Sequence, residues 1–278
     1  MGGMACLLRL LAIVGLALAD RQFDSRPTLR PMNPASPPKI TLHLIPASHP
    51  CRAAVEAVKA KQLEFESVIL TPGEHADLVE GIYGEGCRTV PGMLVDGEPV
   101  HTTSAINRRL EQIAPEPSFY PAPIADAVAA AEAWGDSELQ PLGRILPWGA
   151  MYFRPDCFAT YGGGEALDPA GTDYAIRWIR AAWKYNGVSA VAIATALESL
   201  PALLDHADGF VAAGLIGGAT PTAADLQILS TLRLLMTLGD LTELIEVHDC
   251  GAAARRLLPG YDGSIPPGAF PAGWVRAD

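Results

Sequence analysis

Val90-Pro91-Gly92-Met93-Leu94-Val95-Asp96-Gly97-Glu98-Pro99-Val100 is the stretch whose reading decides the fold. An apolar run, then Asp-Gly, then another apolar position describes a β-hairpin with a two-residue turn. Pro91 opens the first strand, where no ladder donor is needed. Val90-Pro91 is a candidate cis peptide, because that geometry costs little for an X-Pro bond. Upstream, Lys39 to Pro46 reads as a strand, alternating at first and then apolar, as a central strand does. A turn holding Ser48-His49-Pro50-Cys51 follows it. Cys51 to Gln62 reads as a helix, with Ala54, Val55 and Val58 at helical spacing. Phe65 to Leu70 reads as a second strand. A strand-helix-strand unit this short implies a parallel pair with a crossover helix.

A short helix is expected between Gly73 and Gly84, and a longer one from Thr103 to Ile113, with Ala105, Ile106, Leu110 and Ile113 on one face. Residues 39–115 therefore read as one α/β domain. Residues 116–123 are Pro-rich and read as a stiff linker. Beyond them the period changes. Ile124 to Glu138, Thr172 to Tyr185, Val188 to Ala207 and Thr222 to Thr237 read as helices, and no hairpin signal recurs. The expected class is α/β plus all-α: a βαβ-ββα domain, which the family resemblance described below implies is thioredoxin-like, then a helical bundle over residues 124–258. Residues 259–278 form a Gly/Pro-rich tail expected to wrap the surface.

The length of 278 residues fits about two domains. Hydrophobic residues make up 49% and charged residues 18%, enough apolar side chains for a buried core. The net charge of -11 repels phosphate backbones, and no Lys/Arg cluster reverses it locally, so nucleic acid is not an expected partner. The five cysteines, at 6, 51, 87, 157 and 250, form no CxxC pair or zinc spacing. Their odd number and wide spacing suit a reducing compartment. No metal-binding motif, P-loop or dinucleotide fingerprint is present, and no metal is expected. Residues 1–38 read as an apolar leader and a Pro-rich disordered linker. Ala17-Leu18-Ala19 looks like a signal-peptide cleavage site, but Arg9 lies inside the apolar run rather than before it. The cytoplasm is the expected location, with export the alternative if residues 1–19 act as a signal peptide.

From about residue 39 to 258 the chain resembles the cytosolic glutathione transferases. Four matches carry the resemblance: Ser48-His49-Pro50-Cys51 followed by Lys61-Gln62-Leu63-Glu64-Phe65-Glu66; Val90-Pro91; Asp96-Gly97 leading into Thr102-Thr103-Ser104-Ala105-Ile106; and Thr220-Pro221-Thr222-Ala223-Ala224-Asp225-Leu226. That family places a catalytic Ser or Cys where Ser48 stands and a cis-Pro where Pro91 stands. It often reads Glu-Ser where Thr102-Thr103 stand, and it carries a capping box where Thr222 and Asp225 stand. Gln62 replaces the family's usual Gly. Thr102 replaces the acidic or Gln residue that helps hold the γ-glutamyl group of glutathione. This departure leaves room for another small thiol. The resemblance implies a detoxification-type transferase, glutathione or an analogue as co-substrate, an apolar electrophile and a homodimer.

The residues themselves support parts of that picture. Ser48 precedes a helix, whose N-terminal N–H groups and dipole favour an anion. A thiolate held there would be more populated at neutral pH, and the Ser48 hydroxyl could donate to it; a plain N-cap is the structural alternative. His49 could touch a thiol's peptide, although a solvated loop histidine is the favoured reading. Cys51 stands where a CxxC motif has its second cysteine. It reads as a small buried helix residue, or, if exposed, as the thiol of a thiol-disulfide or deglutathionylating reductase. Val90 and Pro91 would offer extended backbone to a peptide-like ligand. Thr102 and Thr103 open a helix where a carboxylate could bind, with Thr103 as the alternative N-cap. Trp134, Trp148, Tyr152, Phe153, Trp178 and Trp183 are core or interhelical residues for the most part, and some could line an apolar pocket facing Ser48. A binding module of the same fold without catalysis is the remaining functional reading.

Overall fold

A computed structural model describes residues 37–275. The leader and linker expected over residues 1–38 lie outside the described residues as far as residue 36. The sheet is built from β1 (Ile40–Leu44), β2 (Phe65–Ile69), β3 (Gly92–Val95) and β4 (Glu98–His101), in the order β2-β1-β3-β4. β1 pairs parallel with β2, Ile40 opposite Phe65, and antiparallel with β3, Ile40 opposite Val95. The β3-β4 turn is Asp96-Gly97, both at positive φ, which matches the right-handed twist of the strands. α1 (His49–Ala60), α2 (His75–Tyr83) and α3 (Thr103–Ile113) complete this part. The first domain is thus the thioredoxin-like βαβ-ββα arrangement expected from the sequence. α1 begins two residues earlier than its apolar pattern suggested. His49 and Pro50 occupy its first turn, where Pro has no N–H to waste.

All-helical chain follows: α4 (Ala125–Trp134), a π-turn (Gly135–Leu139), α5 (Leu142–Phe153), a 3-10 segment (Pro155–Gly162), α6 (Pro169–Asn186), α7 (Ala190–Ala212), α8 (Ala223–Leu235), α9 (Gly239–Glu246) and α10 (Asp249–Leu257). α5, α9 and α10 were not expected as separate helices. α5 carries Pro147 and two glycines, which lower its local helix propensity. Its Leu142, Leu146 and Ala150 are buried, and that packing offsets the weak propensity. α8 is the core of the helical part: Leu226, Ile228, Leu229 and Leu232 are all fully buried, and the helix packs against α1, α4, α5 and α10. The tail is not a loose wrap. Ile265 bridges Leu238, and Phe270 is buried. Among the described residues no single helix is long and apolar enough to cross a membrane.

α8 starts with a full capping box. Thr222 Oγ1 accepts from the Asp225 N–H at 3.2 Å, and an Asp225 oxygen accepts from the Thr222 N–H at 2.8 Å. The other carboxylate oxygen of Asp225 accepts from the Gly217 N–H at 2.6 Å. Burial still raises the Asp225 pKa despite these donors. Asp225→Ala leaves the buried Thr222 N–H and the part-buried Gly217 N–H unpaired and should cost about 3 kcal/mol in urea unfolding. Thr222→Ala, which mainly removes one cap acceptor, should cost about 1 kcal/mol. Equal, small losses in both would show that the box carries little of the core.

Candidate functional site

The site forms at the end of the sheet where β1 and β2 finish, β3 begins and β4 leads into α3. Ser48 is the N-cap of α1, with extended backbone and a half-buried side chain. Its Oγ accepts from the Cys51 N–H at 3.4 Å. Ala47, just before it, takes φ 59, a left-handed turn that is unusual for a residue with a Cβ. Val90-Pro91 is cis, as the sequence suggested. Among the described residues neither the N–H nor the C=O of Val90 bonds to other backbone, so both are open to an extended ligand.

Thr102, not Thr103, caps α3: its hydroxyl accepts from the Ala105 N–H at 3.3 Å. Thr102 is exposed and sits at φ 79, ψ 150, a backbone region populated almost only by glycine. Thr103 is the first residue of the helix and is buried. The reading of Thr103 as N-cap is thereby corrected. The reason is that the positive φ of Thr102 turns its own hydroxyl back over the first turn.

Two further expectations change. His49 is not solvated. It is 3% exposed, and its ring packs so closely on Gly143 of α5 that a Cβ there would lie 2.7 Å from Cε1. Its Nε2 is buried without a hydrogen-bond partner among the described residues. Burial, helped by the charge of Arg144, lowers its pKa to about 3. An imidazole in this position packs the base of α1 and is not free to touch a ligand. Cys51 is also 3% exposed. Its sulfur accepts from the Ile45 N–H at 3.5 Å, and burial pushes the thiol up to about 11 despite the Ser48 and Ile45 hydrogen bonds. The exposed-thiol reading of Cys51 has no support in this geometry.

Sequence reasoning missed the layer under the Val90-Pro91 loop. His43 Nδ1 is hydrogen-bonded to the Tyr83 hydroxyl at 2.6 Å, and the Tyr83 ring lies 5.5 Å from that of His101. His101 Nε2 donates to Thr89 O at 2.7 Å, which ties β4 to the residue before Val90. Tyr83 fills the space over Gly92: a Cβ at Gly92 would fall 2.2 Å from the ring. A glycine directly after Pro91 was the available signal for this close approach. Arg88, paired with Asp77 and Glu80, holds the other end of the loop.

Of the aromatic side chains, Trp134 stacks on His206 at 4.8 Å. Tyr152 stacks on Trp183 at 4.4 Å, and the Trp183 indole donates to Trp148 O. Phe153 meets Tyr152 edge-on at 5.6 Å. Trp178 reaches the first domain. A Cβ at Gly73, in the loop after β2, would lie 3.3 Å from its ring. α6 thus approaches the loop after β2 through Trp178. No group of side chains suited to a metal ion occurs among the described residues.

The His49 geometry predicts an acid-sensitive fold. The unfolded chain protonates this imidazole near 6.5, whereas the folded chain does so only near 3. Between those values the unfolded state binds more protons, so stability falls as the pH drops, by up to about 1.4 kcal/mol per unit, and is unaffected above the window. His49→Gln should flatten the urea-stability slope between pH 6.5 and 5 by about one proton. An unchanged slope would place the imidazole in contact with solvent.

The first domain matches the family model for the glutathione S-transferase N-terminal domain over residues 42–118. A glutathione S-transferase of Ceriporiopsis subvermispora, solved in complex with glutathione, is similar at 17% identity and TM-score 0.55, covering 79% of this chain and 95% of that one. A beta-etherase from Sphingobium sp. strain SYK-6 is similar at 15% identity and TM-score 0.51, covering 71% and 84%. A glutathione S-transferase from Rhodospirillum rubrum F11 is 22% identical over 85% of this chain and 98% of that one, with TM-score 0.47. No curated protein matches the sequence. Residues 42–118 thus match the glutathione S-transferase N-terminal domain, and the described chain has the glutathione S-transferase fold.

Proposed function

We propose that this chain is a glutathione-transferase-like enzyme that joins glutathione, or another small cysteine-containing thiol, to an apolar electrophile. The observation that carries the reading is the half-buried Ser48 hydroxyl at the N-terminus of α1. It already accepts from the Cys51 N–H, and its proton has no stronger neighbouring acceptor among the described residues than the buried Cys51 sulfur. A substrate sulfur on the open side would take that proton as a hydrogen-bond acceptor. Residues 39–115 would bind the thiol, with the open backbone of Val90 beside cis-Pro91 pairing its peptide and the Thr102-Thr103 helix start receiving a carboxylate. The N–H groups of Thr103 and Ser104 are not used by backbone partners there. Residues 124–258 would hold the electrophile, with Trp178 on α6 the first apolar contact. The thiol gives its proton to solvent, the sulfur forms a bond to the electrophilic carbon, and a leaving group departs with the electron pair. We propose the reducing cytoplasm as its location, because a free thiol substrate persists there, and a homodimer as its assembly, because the family it resembles is dimeric.

The magnitudes are adequate. A hydrogen bond to a thiolate contributes about 1.5–3 kcal/mol, and a helix terminus about 0.3–1 kcal/mol. Together they lower a thiol pKa by about two units, from an ordinary value of about 8.5. Thiolate absorbance of bound glutathione, followed against pH on the full chain, should show a depressed pKa that rises by about one to two units in Ser48→Ala. Turnover of an activated aryl halide near pH 6.5 should fall about tenfold or more in that variant. Absence of saturable glutathione binding removes the glutathione reading, and an unmoved thiol pKa in the variant removes the role of Ser48.

The buried thiol makes a separate prediction about the reductase alternative. Cys51, with a thiol near 11, should alkylate far more slowly at pH 7 than the half-buried Cys87, as peptide mass spectrometry would read it. Prompt labelling of Cys51 would restore the single-thiol exchange reading.

A further inference from the structure

The last turn of α8 and the tail enclose a cleft of about 370 Å³, lined among others by Arg233, Arg255, Tyr261, Ser264 and Ile265. None of its lining residues belongs to the Ser48 site. Its outer wall is fixed in place: the Ile265 N–H donates to Thr237 O at 2.8 Å, and Ile265 O accepts from the Gly239 N–H at 2.8 Å.

The charges in this cleft do not balance. Arg233 is half-buried, and no carboxylate lies within ion-pair distance of it among the described residues. Its guanidinium donates to Leu258 O at 3.2 Å, and Nη1 lies 3.4 Å from the Met236 sulfur. Two further guanidiniums stand near it: Arg255 lines the same cleft, and Arg52 donates to Gly260, where a Cβ would lie 2.9 Å from Arg233 Nη2. Arg255 pairs with Glu246 on α9 and is half exposed. Arg52 lies over the Tyr261 ring at 4.8 Å and donates to Gly260 O at 3.4 Å; its nearest carboxylate oxygen, on Glu56, is 3.9 Å away. Burying a guanidinium beside like charges without a counterion is unfavourable. Burial, and then Arg255, accordingly lower the Arg233 pKa. The chain carries 31 acidic residues against 20 basic ones, yet among the described residues no acid pairs with Arg233.

We propose that this cleft is a binding site for a small organic oxyanion, a phosphate- or carboxylate-bearing metabolite of charge -2 or more, held by the guanidiniums of Arg233 and Arg255. The planar fork of Arg matches carboxylate and phosphate oxygens. Ser264, on the exposed rim, supplies a hydroxyl. Met236, Ile265 and Pro267 offer an apolar wall to the carbon skeleton of the ligand. The site is independent of the chemistry at Ser48.

The test is calorimetric titration of the full chain with inorganic phosphate and, separately, with citrate, at constant ionic strength set by chloride. Saturable binding of one probe is expected, weakened about tenfold or more in Arg233→Met and also weakened in Arg255→Gln. Tighter phosphate binding identifies a phosphate ester as the ligand class, and tighter citrate binding a polycarboxylate. Without anion, Arg233→Met should melt no lower than the parent, because an unpaired buried charge is gone. Glutathione binding should be the same in parent and variant, which separates this site from the one at Ser48. If Arg233→Met does not fold, Arg255→Gln, at an exposed side chain, decides. No saturation by either probe at about 10 mM, or equal binding by parent and variants, overturns the proposal.

Discussion

The amine of Lys61, at the end of α1, has no solvent exposure and is the point on which the two halves of the chain are registered. It forms an ion pair with Glu111 on α3, donates to Pro117 O at 2.7 Å and lies 4.1 Å from the centre of the Phe119 ring. Glu111 in turn accepts from the Phe119 N–H at 2.7 Å and from the Ser118 hydroxyl at 2.9 Å. A buried pair of this kind adds little net stability over an apolar one, but removing either partner leaves a charge that nothing satisfies. Its value here is positional. It fixes the linker against α1 and α3, and Phe119 O then accepts from the Ala223 N–H, the first residue of α8. The start of the central helix of the second half is therefore set by a lysine of the first.

The consequence for chemistry is selective exposure. α1 is packed against the sheet and helices α3 and α8, and Gly143 of α5 lies on the His49 ring, so the side chains of its first turn face packed protein. His49 and Cys51 lose their solvent contact in this way, and with it any useful protonation state near neutrality. Ser48, one residue ahead of the helix, stays half open. A second polar network, Asn107 to Glu132 to the Tyr120 hydroxyl, repeats the same device between α3, α4 and the linker. Both networks tie the α3 side of the first domain to the chain that follows, and so steady the Thr102-Thr103 turn.

Local features were readable from the chain because their causes are local. The Asp96-Gly97 turn needs two positive φ values, and Asp-Gly supplies them. The capping box at Thr222 and Asp225 is a three-residue spacing. The cis Val90-Pro91 bond and the parallel β1-β2 pair follow from a proline at a strand start and a short crossover. The helix α5 was missed because Pro147 and its glycines argue against a helix, and only burial of Leu142 and Leu146, on a helix packed against α6, α7 and α8, overrides them. The His43-Tyr83-His101 layer was missed because its members lie on three different elements.

The sequence by itself determined the order of elements, the turn and cap motifs of the first domain and the position of a hydroxyl at the start of α1. Each depends on residues a few places apart. Tertiary structure alone decided which groups of the Ser48-His49-Pro50-Cys51 turn can act, since the neighbours that bury His49 and Cys51 come from α5 and the sheet. It also decided that Arg52 and Arg233 both approach Gly260 and that Arg255 lines the same cleft, although more than 200 residues separate the first from the last. Desolvation and charge depend on everything within a few ångströms in space, and that neighbourhood is not written in any single stretch of chain.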